Sequence, residues 1–201
     1  MNLSISSVRN MLATDQEELV KAYISTYSST VEQEDGTVKS LNPDIERFLN
    51  EDAIQFAKMK TAVTYLALDR EDGALLGYFA LAHKPLEIPA DGLTRKLKDK
   101  IRRFSTLDEA TNTYTVSAFL IGQFGKNYAV EKGGRISGAD LMTAAIEQLQ
   151  EAQEKIGGTI VYLDCEADAK LIRFYESQNF TLFGERISAD GKRYLQYLRF
   201  V

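Results

Sequence analysis

The segment at residues 117–149 constrains the fold more than any other part of the sequence. It starts with an apolar run at 118–121, passes through a glycine-rich loop that reaches Gly134, and enters a long helical pattern at Ser137. A buried strand that leads into such a loop and helix suits an anion, because the first N–H groups of a helix have no intrahelical acceptor. A purely structural turn would show the same glycines, so both interpretations stay open at this point.

Composition limits the kinds of site that the chain can carry. Its 201 residues include one cysteine and one histidine. An internal disulfide and a metal site of His and Cys ligands are therefore excluded. An all-carboxylate site stays possible, but the sequence has no Asp-rich spacing of a calcium loop, and we expect no metal. A single cysteine is typical of a reducing compartment, so we expect a cytoplasmic protein. The apolar runs are only strand-length and no basic segment precedes an apolar one at the N-terminus, so neither a membrane span nor a signal peptide is expected.

The charge of the chain argues against nucleic acid as its main partner. The formal net charge is −5, whereas binding to a phosphate backbone needs clustered Lys and Arg. One basic run, at residues 95–103, is the exception. Its simplest interpretation is a solvated helix face. An acidic chain also suits a cationic acceptor, which long-range attraction would steer towards it.

The order of the predicted elements indicates a mixed α/β fold. The predicted strands lie at residues 2–8, 64–68, 75–81, 113–122, 160–164, 180–183 and 193–200. A strand, a helix and a second strand between 113 and 164 predict a parallel pair with a right-handed crossover. The hairpins on either side predict antiparallel strands, and helices are expected on both faces of the sheet.

Capping residues and prolines predict where helices and loops begin and end. Thr14, with a glutamate three residues later, is typical of a helix start. Asn42 followed by Pro43 predicts a second one. Residues 82–92 are interpreted as a loop because prolines stand near both ends. The long helix is expected to end at Gly157.

Four side chains could carry chemistry, and each has a plainer explanation. Tyr175 follows the strand at 160–164 on a helix, where a hydroxyl could act as general acid, but a core aromatic has the same spacing. Cys165 could face a cofactor or be a small buried apolar residue. Glu166 could line the crevice or be a solvated carboxylate, and His83 could be a base or a surface residue.

Taken together, these segments resemble the GCN5-related N-acetyltransferase (GNAT) superfamily across roughly residues 62–184. The family pattern has a strand, a Gln/Arg-x-x-Gly-x-Gly/Ala loop and a helix, then an Asn-x-x-Ala-x-x-x-Tyr-x-x-x-Gly-Phe run. Residues 121–127 correspond to the strand exit, 133–138 to the phosphate loop and 168–180 to the second run. The sequence departs from the pattern at several of these positions. The departures include Gly133 in place of Gln or Arg, Ile136 in place of the middle Gly, Asp168 in place of Asn, and Asn179 in place of the Gly before Phe180.

The resemblance implies an acyl-CoA N-acyltransferase fold, with a mostly antiparallel sheet in which one parallel pair splays apart. It also implies acetyl-CoA as cosubstrate and direct transfer of the acetyl group to an amine. By the same resemblance Tyr175 would protonate the departing thiolate, and Glu166 or a chain of waters is the candidate base. The residues implied in binding acetyl-CoA are Phe124, Gly125, Lys126, Gly134, Arg135, Ile136, Ser137, Gly138, Ala139, Asp168 and Tyr175.

The resemblance further implies a single domain over residues 1–201. Its expected parts are N-terminal helices at 1–60, strands and the acceptor side at 62–122, the acetyl-CoA-binding core at 123–184 and closing strands at 185–201. The acceptor would be a small-molecule or peptide amine. A non-catalytic acyl-CoA-binding module and a toxin-like aminoacyl-tRNA acetyltransferase are the alternatives. A homodimer through the aromatic C-terminal strands is compatible with the family.

Overall fold

The computed structural model describes residues 3–32, 37–131 and 134–201. Its helices are α1 (Val8–Ala13), α2 (Glu17–Ser25), α3 (Pro43–Arg47), α4 (Ala53–Met59), α5 (Arg95–Ile101), α6 (Gly138–Ile156) and α7 (Ala169–Ser177), with a π-helical turn at Phe48–Asp52. Its strands are β1 (Leu3–Ser7), β2 (Thr30–Glu32), β3 (Val38–Ser40), β4 (Val63–Asp69), β5 (Leu75–Pro89), β6 (Leu107–Asp108), β7 (Thr113–Lys126), β8 (Ile160–Glu166), β9 (Thr181–Ile187) and β10 (Arg193–Phe200). All the strands predicted from the sequence are present.

Two of the predicted helix boundaries are confirmed, and local chemistry explains both. The Asn42 side chain accepts a hydrogen bond from the N–H of Ile45 at 3.2 Å, and Pro43 occupies the first turn of α3. Asn42 thus supplies an acceptor for an N–H that has none within the helix. Pro43 has no N–H, so its position in the first turn leaves no donor unpaired. The long helix α6 ends before Gly157, which has a φ of +73° that most other residues would adopt only with strain.

The predicted helix start at Thr14 is wrong. A short helix, α1, precedes it and is capped by the side chain of Ser7. The hydroxyl of Thr14 instead donates to the carbonyls of Asn10 and Met11 at the end of α1. The next helix begins after Gln16, which makes no side-chain cap. Because Thr hydroxyls bond to preceding carbonyls as well as to following N–H groups, the sequence pattern did not distinguish the two ends.

The predicted loop at residues 82–92 is wrong over residues 82–89, because β5 continues to Pro89, and only residues 90–92 form a bend and turn. Leu86 and Ile88 are buried in this part of the strand, while Glu87 between them is exposed. This alternation is the period-two pattern of a strand with one face on a core. Pro85 and Pro89 are both exposed, and proline is tolerated in a strand where its missing N–H is not needed by a neighbour.

The chain divides into two compact units, of which the first comprises Met1–Ala82 and Ile121–Gln148. Its strands pair antiparallel in the order β1, β4, β5. The apolar faces of the helices between β1 and β4 form a core with the inner residues of these strands. Fully buried members of this core are Val8, Val20, Leu49, Ala53, Leu66 and Tyr78.

The second unit comprises His83–Leu120 and Leu149–Val201. Its strands follow the order β7, β8, β10, β9, and the short β6 pairs with β7. Residues Ala118–Leu120 of β7 run parallel to Ile160–Tyr162 of β8, whereas β10 is antiparallel to both β8 and β9. The core includes Ile88, Ile101, Tyr114, Ala118, Ile160 and Leu198. The mixed α/β fold, mostly antiparallel with a parallel pair, is therefore confirmed.

The longest described helix, α6, is amphipathic. Leu141, Ala145 and Leu149 are buried on one side, while Glu147 and Glu151 are exposed on another. This is the pattern of a helix that covers a protein core. Among the helices in the described part of the chain, none combines the length and the apolar character that crossing a membrane requires.

A buried amide at Asn127, directly after β7, joins three parts of the first unit. Its Nδ2 donates to the carbonyls of Thr26 at 3.0 Å and Leu75 at 2.8 Å. Its Oδ1 accepts from the N–H groups of Ser28 at 2.9 Å and Ala129 at 3.0 Å. The residue is 1% exposed. The segment after α2, the start of β5 and the end of β7 are therefore held together by one side chain.

We expect Asn127→Ala to lower the free energy of unfolding by about 3 kcal/mol, because it leaves two carbonyls and two N–H groups unpaired, most of them away from water. Denaturant unfolding followed by circular dichroism measures the change. Asn50→Ala is the matched control, since Asn50 is exposed and donates a single hydrogen bond. A loss for Asn127→Ala no larger than that of the control would contradict the structural role.

Candidate functional site

The end of β7, where residues 124–126 are predicted to contact acetyl-CoA, is packed too closely to accept a side chain at Gly125. A Cβ there would lie 2.5 Å from the hydroxyl oxygen of Tyr27 and 3.0 Å from a methyl carbon of Ile45. A Cβ on Gly77 of β5 would lie 2.8 Å from the carbonyl oxygen of Gly125. The strand end is therefore held at van der Waals distance by two neighbours, and glycine is required there for packing whether or not a ligand binds.

Gly77 is also where the strand end and the first turns of α6 come together. A Cβ at this position would lie 3.3 Å from the Cα of Lys126 and 3.2 Å from a methyl carbon of Leu141. The sequence analysis did not single out Gly77. Its position inside an apolar strand could have indicated this role, because a glycine there often marks the close approach of another backbone.

Tyr27 is a second residue that the sequence analysis did not select. Its ring packs edge-on against Tyr78 at 5.1 Å, and its hydroxyl lies against Gly125. Burial, and then the negative charge of Glu46, raise the pKa of Tyr27 above its usual value. The hydroxyl therefore stays protonated at neutral pH beside the end of β7. No local pattern in the sequence indicates this placement.

The predicted phosphate loop is described from Gly134 onward, and Gly133 lies outside the described residues. Ser137 caps α6, because its Oγ accepts from the N–H of Asp140 at 3.0 Å. Ile136 is 2% exposed, so it anchors the loop through its side chain. At a helix start the N–H groups of Gly138 and Ala139 have no carbonyl four residues earlier within the helix. The loop thus presents an anchored backbone and donors at a helix terminus.

Negative side chains already surround this loop. Arg135 Nη1 lies 2.8 Å from a carboxylate oxygen of Asp72, and its Nη2 contacts Asp69. This ion pair lowers the pKa of Asp72 and raises the pKa of Arg135. Asp140 bonds to the hydroxyl of Ser137. Arg135 is therefore held by two carboxylates in this structure, and its predicted contact with a phosphate stays a prediction.

Asp168, a predicted cofactor residue of the second unit, caps α7. Its carboxylate accepts from the N–H groups of Lys170 at 2.7 Å and Leu171 at 3.2 Å. These two bonds lower the pKa of Asp168. Asn and Asp are both strong N-cap residues. The replacement of the family's Asn by Asp therefore preserves the helix start, and a role in binding a cofactor stays a prediction.

Tyr175 of α7 is buried in an aromatic cluster. Its ring centroid lies 5.1 Å from that of Phe174, 6.0 Å from Phe180 and 6.2 Å from Tyr197. Burial, with a smaller effect from Cys165, raises the pKa of Tyr175. The hydroxyl therefore keeps its proton at neutral pH, which a general acid requires. The same packing also fits a core aromatic, so the geometry is compatible with both interpretations.

Glu166 and His83 are the other two candidates, and both are exposed. Glu166 is the last residue of β8. His83 lies on β5 with its Nε2 3.0 Å from the hydroxyl of Ser117 and its ring 5.0 Å from that of Phe119. The two contacts of His83 do not by themselves assign it the role of a base, and the role of Glu166 as a base stays a prediction. Among the described residues, no group of three or more His, Cys, Asp and Glu side chains is arranged to hold a metal ion.

Cys165 is buried, which raises the pKa of its thiol to about 11 from an ordinary value of 9.0. The nearby carboxylates of Asp164, Asp168 and Glu166 add to this effect. Because only the thiolate reacts, we expect iodoacetamide at pH 8 to label the native protein at least about a hundredfold more slowly than the urea-unfolded chain.

Mass spectrometry of the labelled protein measures both rates. The sequence has one cysteine, so Cys165→Ser must take no label and serves as the control. A native rate within tenfold of the unfolded rate would show that the thiol is accessible and ionised, and would make it a candidate nucleophile.

No protein-family model and no curated protein matches this chain. Solved structures similar to it include AtaT complexed with acetyl-methionyl-tRNAfMet, with a TM-score of 0.61 and 14% identity over 96% of this chain and 93% of that one. A tyrosine-to-phenylalanine mutant of KacT has a TM-score of 0.62 and 13% identity over 98% and 95%. AtaTR bound with AcCoA has a TM-score of 0.56 and 13% identity over 99% and 93%.

At these identities the likeness establishes the fold, and it extends over nearly the whole of both chains. The strand β7, the loop before α6, and the strand β8 with α7 occur in the order that the sequence comparison implied. AtaT and KacT have the GNAT fold. This chain therefore has the fold of the GCN5-related N-acetyltransferases.

Proposed function

We propose that this protein is an N-acetyltransferase that moves the acetyl group of acetyl-CoA directly to a primary amine. The observation that carries the proposal is the GNAT fold, with its parallel pair of strands, glycine-containing loop and following helix. One of the similar solved structures is AtaTR bound with AcCoA. Fold alone does not determine activity, so the proposal also depends on the residues of the two units.

In the first unit, the end of β7 and the start of α6 would hold acetyl-CoA. The parallel register with β8 covers Ala118–Leu120, and β7 runs on to Lys126. Backbone groups at 124–126 would pair with the amides of the pantetheine arm, as an added strand pairs with a sheet edge. The backbone at 134–139 would receive the pyrophosphate at the helix N-terminus. A bound pyrophosphate would then compete with Asp69 and Asp72 for Arg135.

In the second unit, Tyr175 would act as general acid. The amine nitrogen attacks the thioester carbonyl, a C–N bond forms, and the C–S bond breaks to release the thiolate of CoA. Tyr175 would give this thiolate its proton, and the proton that the nitrogen loses as the amide forms would restore the tyrosine hydroxyl. The raised pKa of Tyr175 keeps the hydroxyl protonated at neutral pH but makes it a weaker acid than an ordinary tyrosine, so the proposed role depends on its position and not on this pKa. The acceptor ammonium must lose a proton before it attacks, and exposed Glu166 or a water would take it. Cys165 is not proposed as a nucleophile because its thiol is buried and un-ionised.

We expect Tyr175→Phe to reduce turnover about a hundredfold, the usual effect of removing a general acid. Turnover is measured as the release of CoA thiol from acetyl-CoA in the presence of each amine of a panel. Tyr197→Phe is the matched control, since Tyr197 is a buried member of the same aromatic cluster and loses the same hydroxyl. Equal effects of the two variants would assign the loss to packing. Absence of turnover with every amine, together with binding of acetyl-CoA, would favour a non-catalytic acyl-CoA-binding module.

A second candidate function is acetylation of an aminoacyl-tRNA, in the manner of a toxin. Two observations favour it. One similar structure is AtaT complexed with acetyl-methionyl-tRNAfMet, and helix α5 with the residue after it carries Arg95, Lys96, Lys98, Lys100 and Arg102. The amine of a charged tRNA is a primary amine, so the same chemistry applies. The net charge of −5 opposes this function.

Expression in a bacterial host tests the second candidate. We expect growth arrest with the wild-type chain and its relief by Tyr175→Phe, because arrest would depend on the transfer reaction. Acetylation of aminoacyl-tRNA by purified protein, compared with peptide and polyamine amines at equal concentration, supplies the direct measurement. Normal growth on expression, together with no acetylation of aminoacyl-tRNA by the purified protein, would exclude this function while leaving acetylation of other amines open.

A further inference from the structure

A cationic cavity in the second unit has no place in the transfer reaction proposed above. It has a volume of about 400 Å³ and is bounded by α5 and by the final strands β9 and β10. Three of its lining residues are cations, namely Lys96, Lys100 and Arg199. No acidic side chain of the described residues lines it. In a chain of net charge −5, such a concentration of one sign is a local reversal of charge.

Helix α5 distributes its charges unevenly. Asp99 lies 4.0 Å from Arg95 and 3.8 Å from Arg102, so the acidic residue of the helix is directed to cations outside the cavity. Lys96 and Lys100 are four residues apart and line the cavity together. Like charges at this spacing destabilise a helix by a few tenths of a kcal/mol. An anion between them would relieve that repulsion.

The third cation is held in place by the strand that carries it. Arg199 is half-buried on β10, and its Nη1 donates to the carbonyl of Gln178 at 3.1 Å. A guanidinium that is oriented by one bond retains further N–H donors in a fixed plane, which suits a phosphate group. Thr94 and Thr181 also line the cavity, and the Oγ1 of Thr94 caps α5 by accepting from the N–H of Leu97 at 3.3 Å.

The size and walls of the cavity indicate more than an isolated phosphate. A volume of about 400 Å³ lies in the range of small-molecule sites. Phe200 contributes an aromatic wall, and the Nζ of Lys100 lies 5.0 Å from the centre of its ring. Aromatic side chains beside a cationic groove are the usual means of holding a base next to its phosphate.

We propose that this cavity binds a nucleoside phosphate, either free or as part of single-stranded nucleic acid. Lys96, Lys100 and Arg199 contact the phosphate, and the shift of Lys100 Nζ from the Phe200 ring towards the phosphate leaves that ring face to the base. The proposal does not rest on transfer of an acetyl group, since its test uses no acetyl-CoA and Tyr175 is not among the lining residues. It shares Lys96 and Lys100 with the tRNA candidate above, so binding of RNA here would also support that candidate, whereas binding of AMP alone would not.

The test measures binding of two probes, AMP by calorimetry and a fluorescently labelled single-stranded RNA of about ten nucleotides by anisotropy, at low salt. We expect at least one probe to bind in a salt-dependent manner. The double variant Lys96→Gln/Lys100→Gln and the single variant Arg199→Gln are each expected to weaken that binding about tenfold or more. Binding of RNA but not AMP would assign the cavity to nucleic acid, and binding of AMP would assign it to a free nucleotide.

The matched control is Lys84→Gln/Lys170→Gln, which removes two exposed positive charges of the second unit that lie outside both the cavity lining and the basic run at 95–103. It is expected to change affinity less than twofold, and thermal unfolding verifies that all variants are folded. Three outcomes overturn the proposal. They are no binding of either probe at about 1 mM, equal loss in the control, and unchanged binding in both cavity variants.

Discussion

The buried amide of Asn127 is the interaction on which the geometry of the first unit depends. It closes the end of β7 by bonding to the carbonyls of Thr26 and Leu75 and to the N–H of Ser28. These bonds hold the segment after α2 against the strand, and this places the hydroxyl of Tyr27 beside Gly125. A side chain with two donors and two acceptor sites is needed for this junction, because each of the backbone groups would otherwise lack a partner.

Charge compensation is the second constraint on the proposed cofactor loop. Arg135 is its cation, and it is paired with Asp69 and Asp72 on the hairpin between β4 and β5. Asp140 occupies the first turn of α6. These carboxylates hold Arg135 and Ser137, and a pyrophosphate bound as proposed would have to displace them or bind through backbone N–H groups alone. Ion pairs therefore hold the conformation of this loop, whereas the family pattern has a glycine at the position that Ile136 occupies here.

Residue patterns in the sequence predicted the strands and the longest helix correctly, because burial of one face imposes a visible period. They failed where a residue type serves two structural roles. Thr14 ends a helix although its spacing is typical of a start. The prolines at 85 and 89 lie in a strand although proline is typical of loops. The substitution of Asp168 for the family's Asn is explained by capping, which either residue performs.

By itself, the sequence determined the order of strands and helices, the boundary at Asn42, the end of α6 and the candidate residues at 124–126, 134–139 and 175. Only the tertiary structure decided what surrounds them. Tyr27 beside Gly125, the two aspartates on Arg135 and the cations gathered at the cavity come from segments far apart in the chain. Local spacing reports which face of an element is buried. Contacts between distant segments depend on how those faces pack, and no local pattern contains that information.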